Sequence, residues 1–354
     1  RTAARRRDSS TRSVTLDRSD YMAHLETVLR VADSDPSESI RPESSETISV
    51  DAEVPENLAA SSSELQLKEV IATGGMGVVR AATQHDLHRE VAVKTVRPDK
   101  GGEVAHLLLR QEAFVTGGLE HPNILPIYGM GQDSRGGPLI VMKRVEGHSW
   151  LEVLHDPALA GRRDGDDLLD WHLGVFMQVC SAVHFAHSHD ILHRDIKPSN
   201  VMLGAYDEVY LLDWGVAAQL PGGRAEHLPQ PEARGSIAGT PHYMAPEMTV
   251  GEADKLTART DVYLLGGTLY HVLCGGPPHP GKTLAEALFM AHASHEPEFI
   301  ADVPPQLAAI CRRAMCAEPD ERFQDAEALR HAVAEFRHNR TSIVLAEEAQ
   351  NSLD

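Results

Sequence analysis

His193-Arg194-Asp195-Ile196-Lys197-Pro198-Ser199-Asn200, followed after a short hydrophobic run by Asp213-Trp214-Gly215, is the stretch around which the rest of the chain is organised. An acid at Asp195, a base at Lys197 and an amide at Asn200 converge on one point only if the backbone is held as a fixed loop. Such a loop suits phosphoryl transfer, where the protein contributes positioning and charge neutralisation more than covalent chemistry.

Upstream, the sequence breaks into short β-rich runs, Leu65 to Ile71, Gly77 to Thr83 and Arg89 to Val96, with a glycine-bearing turn between the first two. The third run carries Val91-Ala92-Val93-Lys94. A lysine with apolar neighbours on both sides is either an edge-strand guard against aggregation or a charge aimed at a ligand. A helix around Ala105 to Gly118 follows, and Glu112 on it is the natural counter-charge to Lys94. Two more strands, Leu125 to Gly129 and Pro138 to Met142, lead into Lys143-Arg144-Val145-Glu146-Gly147, an extended linker between two lobes.

The downstream half is helical. Asp170 is placed to cap a helix in which Leu173, Phe176, Val179, Cys180 and Val183 recur at three- and four-residue steps. That helix delivers the chain into Ile191-Leu192-His193, and the Gly- and charge-rich Pro157 to Asp167 before it reads as a surface loop. Further helices are expected over Asp261 to Cys274, Thr283 to His295, Pro305 to Cys316 and Asp325 to Arg337. Residues 339–354 read as a polar tail in which Ala346-Glu347-Glu348-Ala349 starts another helix of a truncated region.

These motifs resemble the eukaryotic-like Ser/Thr protein kinases, in particular their bacterial branch, over roughly residues 66–338. Five signals carry the resemblance in order. They are Val91-Ala92-Val93-Lys94, the stretch His193 to Asn200, Asp213-Trp214-Gly215, the run Gly239-Thr240-Pro241-His242-Tyr243-Met244-Ala245-Pro246-Glu247, and Asp261-Val262-Tyr263-Leu264-Leu265-Gly266. The resemblance implies an α+β, two-lobed protein kinase fold. A small β-rich N-lobe (65–142) joins a larger helical C-lobe (148–338) through a hinge (143–147), with ATP in the cleft and Mg2+, or Mn2+ as a substitute, beside it.

Carried over residue by residue, the resemblance implies that Lys94 contacts the α- and β-phosphates and pairs with Glu112. Asp195 would accept the proton of the substrate hydroxyl, Lys197 would offset charge on the transferring phosphoryl group, and Asn200 and Asp213 would hold the metal. Met142 is similar to a gatekeeper behind the adenine, Lys143 to Val145 to the hinge, and Val79 and Ala92 to the nucleotide-facing positions of the sheet. Lys197 with Gly239-Thr240-Pro241 resembles the Ser/Thr-specific pattern, and Thr240 is assigned to substrate-hydroxyl geometry. Glu247 and Arg322 resemble the buried ion pair of the C-lobe, and Asp261 the residue that braces the catalytic-loop backbone. Ser236 sits where relatives carry an activating phosphosite, with Arg194 as its phosphate anchor.

The glycine-rich turn, Ala72-Thr73-Gly74-Gly75-Met76-Gly77, has alanine where the first glycine is usual, so weakened closure over the nucleotide is expected if that position needs positive φ. Trp214 stands where phenylalanine is usual and is expected to pack beneath the helix bearing Glu112. A pseudokinase, or a nucleotide-responsive binding or scaffold module, is the alternative reading that these departures raise.

Composition sets outer limits. The 354 residues carry a formal net charge of −19, which argues against a general nucleic-acid surface. Four cysteines in apolar or helical contexts, without zinc spacing, read as reduced core residues of a cytoplasmic protein. No apolar run is long enough to span a membrane, and the absence of an initiator Met suggests a fragment whose anchor could lie elsewhere. Residues 1–64 are serine-rich, basic at the start and acidic later, a disordered tail by composition. Within it Tyr21 to Leu29 could form a transient helix or a docking segment. Partners expected are protein substrates and ATP, with kinase dimers or scaffold partners open.

Overall fold

Short runs rich in apolar and β-branched residues build an antiparallel sheet from β1 (Leu65–Thr73), β2 (Gly77–Gln84), β3 (Arg89–Val96), β4 (Ile127–Gln132) and β5 (Pro138–Lys143), in the order β1-β2-β3-β5-β4. The structure, a computed structural model, describes residues 65–351 apart from 75–76, 101, 134–135, 161–166, 221–236, 252 and 301. The Tyr21–Leu29 island, the Gly75-Met76 pair and Ser236 therefore lie outside the described residues.

Register sorts the two faces of the sheet. Ala82, Val91 and Val93 gather on one face, covered by Leu65, Leu139 and Val141. The opposite face carries Lys94, which lies across from Val79 and Ile140, and Ala92, which lies across from Met142. Helix α1 (Glu103–Gly117) presses Leu109 and Ala113 onto Ile140 of that second face, which brings Glu112 to the same side as Lys94.

After β5 the chain enters β6 (Gly147–Ser149), which pairs with β8 (Val201–Gly204), itself paired with β9 (Val209–Leu211). Glycine is required at position 147, because a Cβ there would lie 1.8 Å from the Leu203 carbonyl oxygen. A capping box from Ser149 and Glu152 starts α2 (Trp150–His155). The next helix, α3 (Leu168–Ser188), is capped by Asp167, whose carboxylate accepts from the Leu169 and Asp170 backbone N–H groups. Asp170 thus sits inside the first turn and not at the cap, and its carboxylate receives Arg337 at 2.6 Å.

β7 (Ile191–Leu192) pairs with β10 (Ala218–Gln219), and α4 (Ala258–Cys274) begins three residues before the expected Asp261 because Thr257 closes a capping box with Thr260. α5 (Leu284–Ala293) stops short of His295, since Ser294 turns left-handed at φ 40°. α6 (Pro305–Ala314) leaves Cys316 outside. α7 (Ala326–Asn351) runs unbroken through the expected end at Arg337, so Ala346 to Ala349 continue it and start no helix of their own. It has neither Gly nor Pro to stop it, and Arg337 and Arg340 tie it to Asp170 and Asp167 at the start of α3.

Cys180 and Cys311 are buried, whereas Cys274 and Cys316 are only half-buried near helix ends, so two of the four expected core thiols are not core. No helix among the described residues is long and apolar enough to cross a membrane.

The helical half also buries two imidazoles. The Tyr243 hydroxyl lies 2.6 Å from His271 Nδ1, and the Tyr263 hydroxyl 3.2 Å from His279 Nε2. Burial pushes both histidines down to about 4. They stay neutral in the fold, while the unfolded chain protonates them near pH 6.5, so unfolding takes up protons between those limits. Stability is therefore expected to be complete above about pH 6.5 and to fall, by several kcal/mol in order of magnitude, as pH drops toward 4. Urea midpoints at pH 7, 5.5 and 4.5 measure this, and a flat profile would contradict it.

Candidate active site

The loop after β7 is fixed from below. The buried carboxylate of Asp261, in the first turn of α4, accepts from the His193 and Arg194 backbone N–H groups at 2.8 and 2.9 Å and lies 2.8 Å from His187 Nε2. Burial alone would raise its pKa, yet the His187 contact, neighbouring imidazole charge and the backbone hydrogen bond hold it below the usual carboxylate value. This clamp accommodates a left-handed Arg194 at φ 64°, whose Nε donates to the Val216 carbonyl at 2.6 Å. Gly239, at φ 118°, fits against the same turn because a Cβ there would lie 2.5 Å from the Arg194 carbonyl oxygen.

At the centre is Asp195, 2% exposed. Its Oδ1 accepts from the Thr240 hydroxyl at 2.5 Å, and its Oδ2 accepts from Asn200 Nδ2 at 2.8 Å and lies 3.2 Å from Lys197 Nζ. Lys197 Nζ in turn donates to Thr240 Oγ1 at 2.5 Å. Asn200 Nδ2 also donates to the Asp195 carbonyl, which leaves Oδ1 as the side-chain atom with donor capacity for a cation. The hairpin β8–β9 then carries the chain from Asn200 to Asp213, and its ends are joined where Leu212 N–H donates to the Asn200 carbonyl at 2.8 Å.

From above, Lys94 forms an ion pair with Glu112 and lies 3.9 Å from Asp213 Oδ1, so one ammonium links the sheet, α1 and the Asp213 turn. Asp213 is left-handed at φ 56°. Gly77 lies over the Lys94 stem, where a Cβ would stand 3.1 Å from Cε. Gly74 N–H donates to the Gly77 carbonyl at 2.9 Å and closes the described part of the turn beyond Thr73. Ala72 is in extended β1 opposite Val79 and is not among the positive-φ residues, so its methyl group meets no backbone penalty there. The backbone ground for expecting weakened closure at residue 72 is thus absent.

Met142 and Ala92 are buried on the cleft face of the sheet, and Val79 is half-buried on the same face. The Lys143 N–H is taken by the Pro126 carbonyl at 3.0 Å. Trp214 is 1% exposed, and its packing partner is the His193 ring, at 4.5 Å between centroids. At the far side of the helical half, Arg322 grips Glu247 with two hydrogen bonds of 2.7 and 2.9 Å. The sequence reading missed His187 as the third partner of Asp261 and the side-chain role of Lys143, because neither contact has a local signature: they span 74 and 65 residues.

The model of the protein kinase domain matches residues 65–334. The chain belongs to the protein kinase family. The chain is 34% identical over 278 residues to serine/threonine-protein kinase PknB of Mycolicibacterium smegmatis, an overlap covering 76% of this chain and 42% of that protein. It is 32% identical to PknB of Mycobacterium tuberculosis, with coverage of 76% and 42%, and 32% identical to serine/threonine-protein kinase PknD of Chlamydia caviae, with 74% and 30%. The chain thus spans less than half the length of these curated relatives. Its kinase domain is of the bacterial, eukaryotic-like Ser/Thr type, and the family as a whole uses ATP with Mg2+.

Proposed function

We propose that this chain is an active kinase that transfers the γ-phosphoryl group of ATP to Ser or Thr hydroxyls of protein substrates. The observation that carries this reading is the closed Asp195–Thr240–Lys197–Asn200 network facing an ion-paired Lys94. Asp195 orients the substrate hydroxyl and takes its proton as the new O–P bond forms and the bond from Pγ to the departing ADP oxygen breaks. Lys197 offsets charge on the moving phosphoryl group, Thr240 holds both side chains in register, and Lys94, kept straight by Glu112, neutralises the α- and β-phosphates. The Thr73–Gly77 turn covers the phosphates. Ala72, Val79, Ala92 and Met142 wall the purine, and the hinge at Lys143 to Val145 meets its edge through backbone groups.

An amide oxygen at Asn200 and a carboxylate at Asp213 are a donor set suited to a hard divalent ion, and these two residues would hold it. When bound, Mg2+ would supply charge neutralisation at the phosphates. Glu247 with Arg322 and Asp261 with the loop backbone are structural members of the site.

The test is transfer of labelled phosphate from ATP to the chain itself or to a generic basic protein, dependent on Mg2+ and yielding phosphoserine or phosphothreonine. ATP binding without turnover would overturn the reading in favour of a pseudokinase. We assign Ser236 as the activating phospho-acceptor and Arg194 as its anchor. Ser236→Ala is then expected to lower activity severalfold, and mass spectrometry that never finds Ser236 modified would sink that assignment. Residues 1–64 are proposed as an interaction or autophosphorylation region attached to a kinase domain at 65–338 that works in the cytoplasm, and scaffold or dimer partners would engage that region.

A further inference from the structure

Consecutive residues of the linker between the lobes point their charges at opposite lobes. Lys143, the last residue of β5, lies across from Val91, so the pleat directs its side chain away from the face that carries Met142. Lys143 Nζ donates to Glu208 Oε1 at 2.7 Å and to the Tyr210 hydroxyl at 2.8 Å, and sits 5.0 Å from the Tyr210 ring centroid. Arg144, one residue on, turns to the sheet and donates to Glu90 Oε2 at 2.9 Å.

The receiving end is built for this contact. Glu208 folds back over Gly204, where any Cβ would lie 2.3 Å from its Oε2, and the Gly204 N–H donates to the Glu208 carbonyl at 2.8 Å. Glycine at 204 leaves the space in which the carboxylate lies along the hairpin, with Oε1 directed to the linker. Glu208 and Tyr210 belong to the β8–β9 hairpin, whose two ends carry Asn200 and Asp213. We propose that the Lys143 side chain is a positioning residue for the nucleotide: through Glu208 and Tyr210 it locks the hinge to the metal-bearing hairpin and so sets the distance between the purine end and the phosphate end of the cleft.

The chemistry of the contact agrees with this role. Hydrogen bonding to Lys143 holds Glu208 below the usual carboxylate range, and hydrogen bonding to Glu208 and Tyr210 raises Lys143 above its ordinary value, so the pair stays charged across the physiological range. Both side chains are nearly 30% exposed, at 28% and 29%, which limits the contribution to global stability. Its effect falls instead on the geometry between two sites that one ATP must bridge, where a small misplacement is costly. This inference rests on the ATP-dependent reading of the site.

The test uses the full chain and measures steady-state KM for ATP and kcat, with thermal midpoints alongside. Glu208→Gln is expected to raise KM for ATP about fivefold with kcat within about twofold and little loss of thermal stability. Lys143→Glu alone should raise KM at least as much, and the swapped pair Lys143→Glu with Glu208→Lys should return it to within about twofold of the starting value. An unchanged KM in Glu208→Gln, or a folded swapped pair no better than Lys143→Glu alone, overturns the strut while leaving the kinase reading intact. An unsubstituted chain that takes up no ATP in an equilibrium titration overturns that reading, and the strut with it.

Discussion

Asp195→Asn is expected to slow phosphoryl transfer by about a thousandfold while ATP affinity stays within about twofold. The substitution keeps the shape of the side chain and removes its charge and one of its acceptors. Asp195 receives the Thr240 hydroxyl on one oxygen and the Asn200 amide on the other, with Lys197 at 3.2 Å. An asparagine amide group must point a donor at one of these donors, so the network opens as the base is lost, and about 1–2 kcal/mol of stability goes with it. Lys94, which would hold the nucleotide from the sheet side, keeps its ion pair with Glu112 in this variant, and binding is therefore expected to be spared. Single-turnover rates and an ATP titration on the same preparation separate the two effects. A variant retaining more than about a tenth of the rate would remove Asp195 from the role of base.

Arg322→Ala is expected to be the most destabilising single change in the helical half. The Arg322 side chain is fully buried; besides its two bonds to Glu247 it donates to the carbonyls of Arg259, Cys316 and Ala317, and it lies 4.8 Å from the Tyr263 ring centroid. Truncation leaves the Glu247 carboxylate charged, buried and unmatched, and deprives three carbonyls of their donor. Breaking a buried pair in this way costs about 3–5 kcal/mol, which for a domain of this size lowers the thermal midpoint by roughly 10 °C. Replacing both members, Glu247→Leu with Arg322→Met, should recover part of the loss, since the isolated charge is then gone. Urea unfolding of the three variants checks the order, and a loss under about 1 kcal/mol for Arg322→Ala would refute it.

Much of this molecule was legible along the chain because its decisive groups are consecutive. β3 spans Arg89–Val96, the bounds of its β-rich run, and the sheet register puts Val79 and Lys94 side by side. Asp195, Lys197 and Asn200 share one short loop, so their convergence follows from the loop being fixed. Boundaries were less legible where a cap competes with an equally suitable neighbour: Asp167 and Asp170 are both carboxylates before an apolar run, and the one whose oxygen reaches the first N–H groups became the cap. The concern about Ala72 illustrates a different limit. Glycine is needed where φ is positive or where a Cβ would clash, and φ at position 72 is set by strand pairing with Val79, which no local pattern reveals.

The order of motifs thus suffices to specify a two-lobed kinase fold and to single out Lys94, Asp195, Asn200 and Asp213 as candidate site residues, because those features depend on neighbours within a few residues. Folding had to supply the rest. The His187–Asp261 contact and the Lys143–Glu208 strut join residues 74 and 65 positions apart. Their partners are chosen by the packing of distant segments, which no local pattern along the chain encodes.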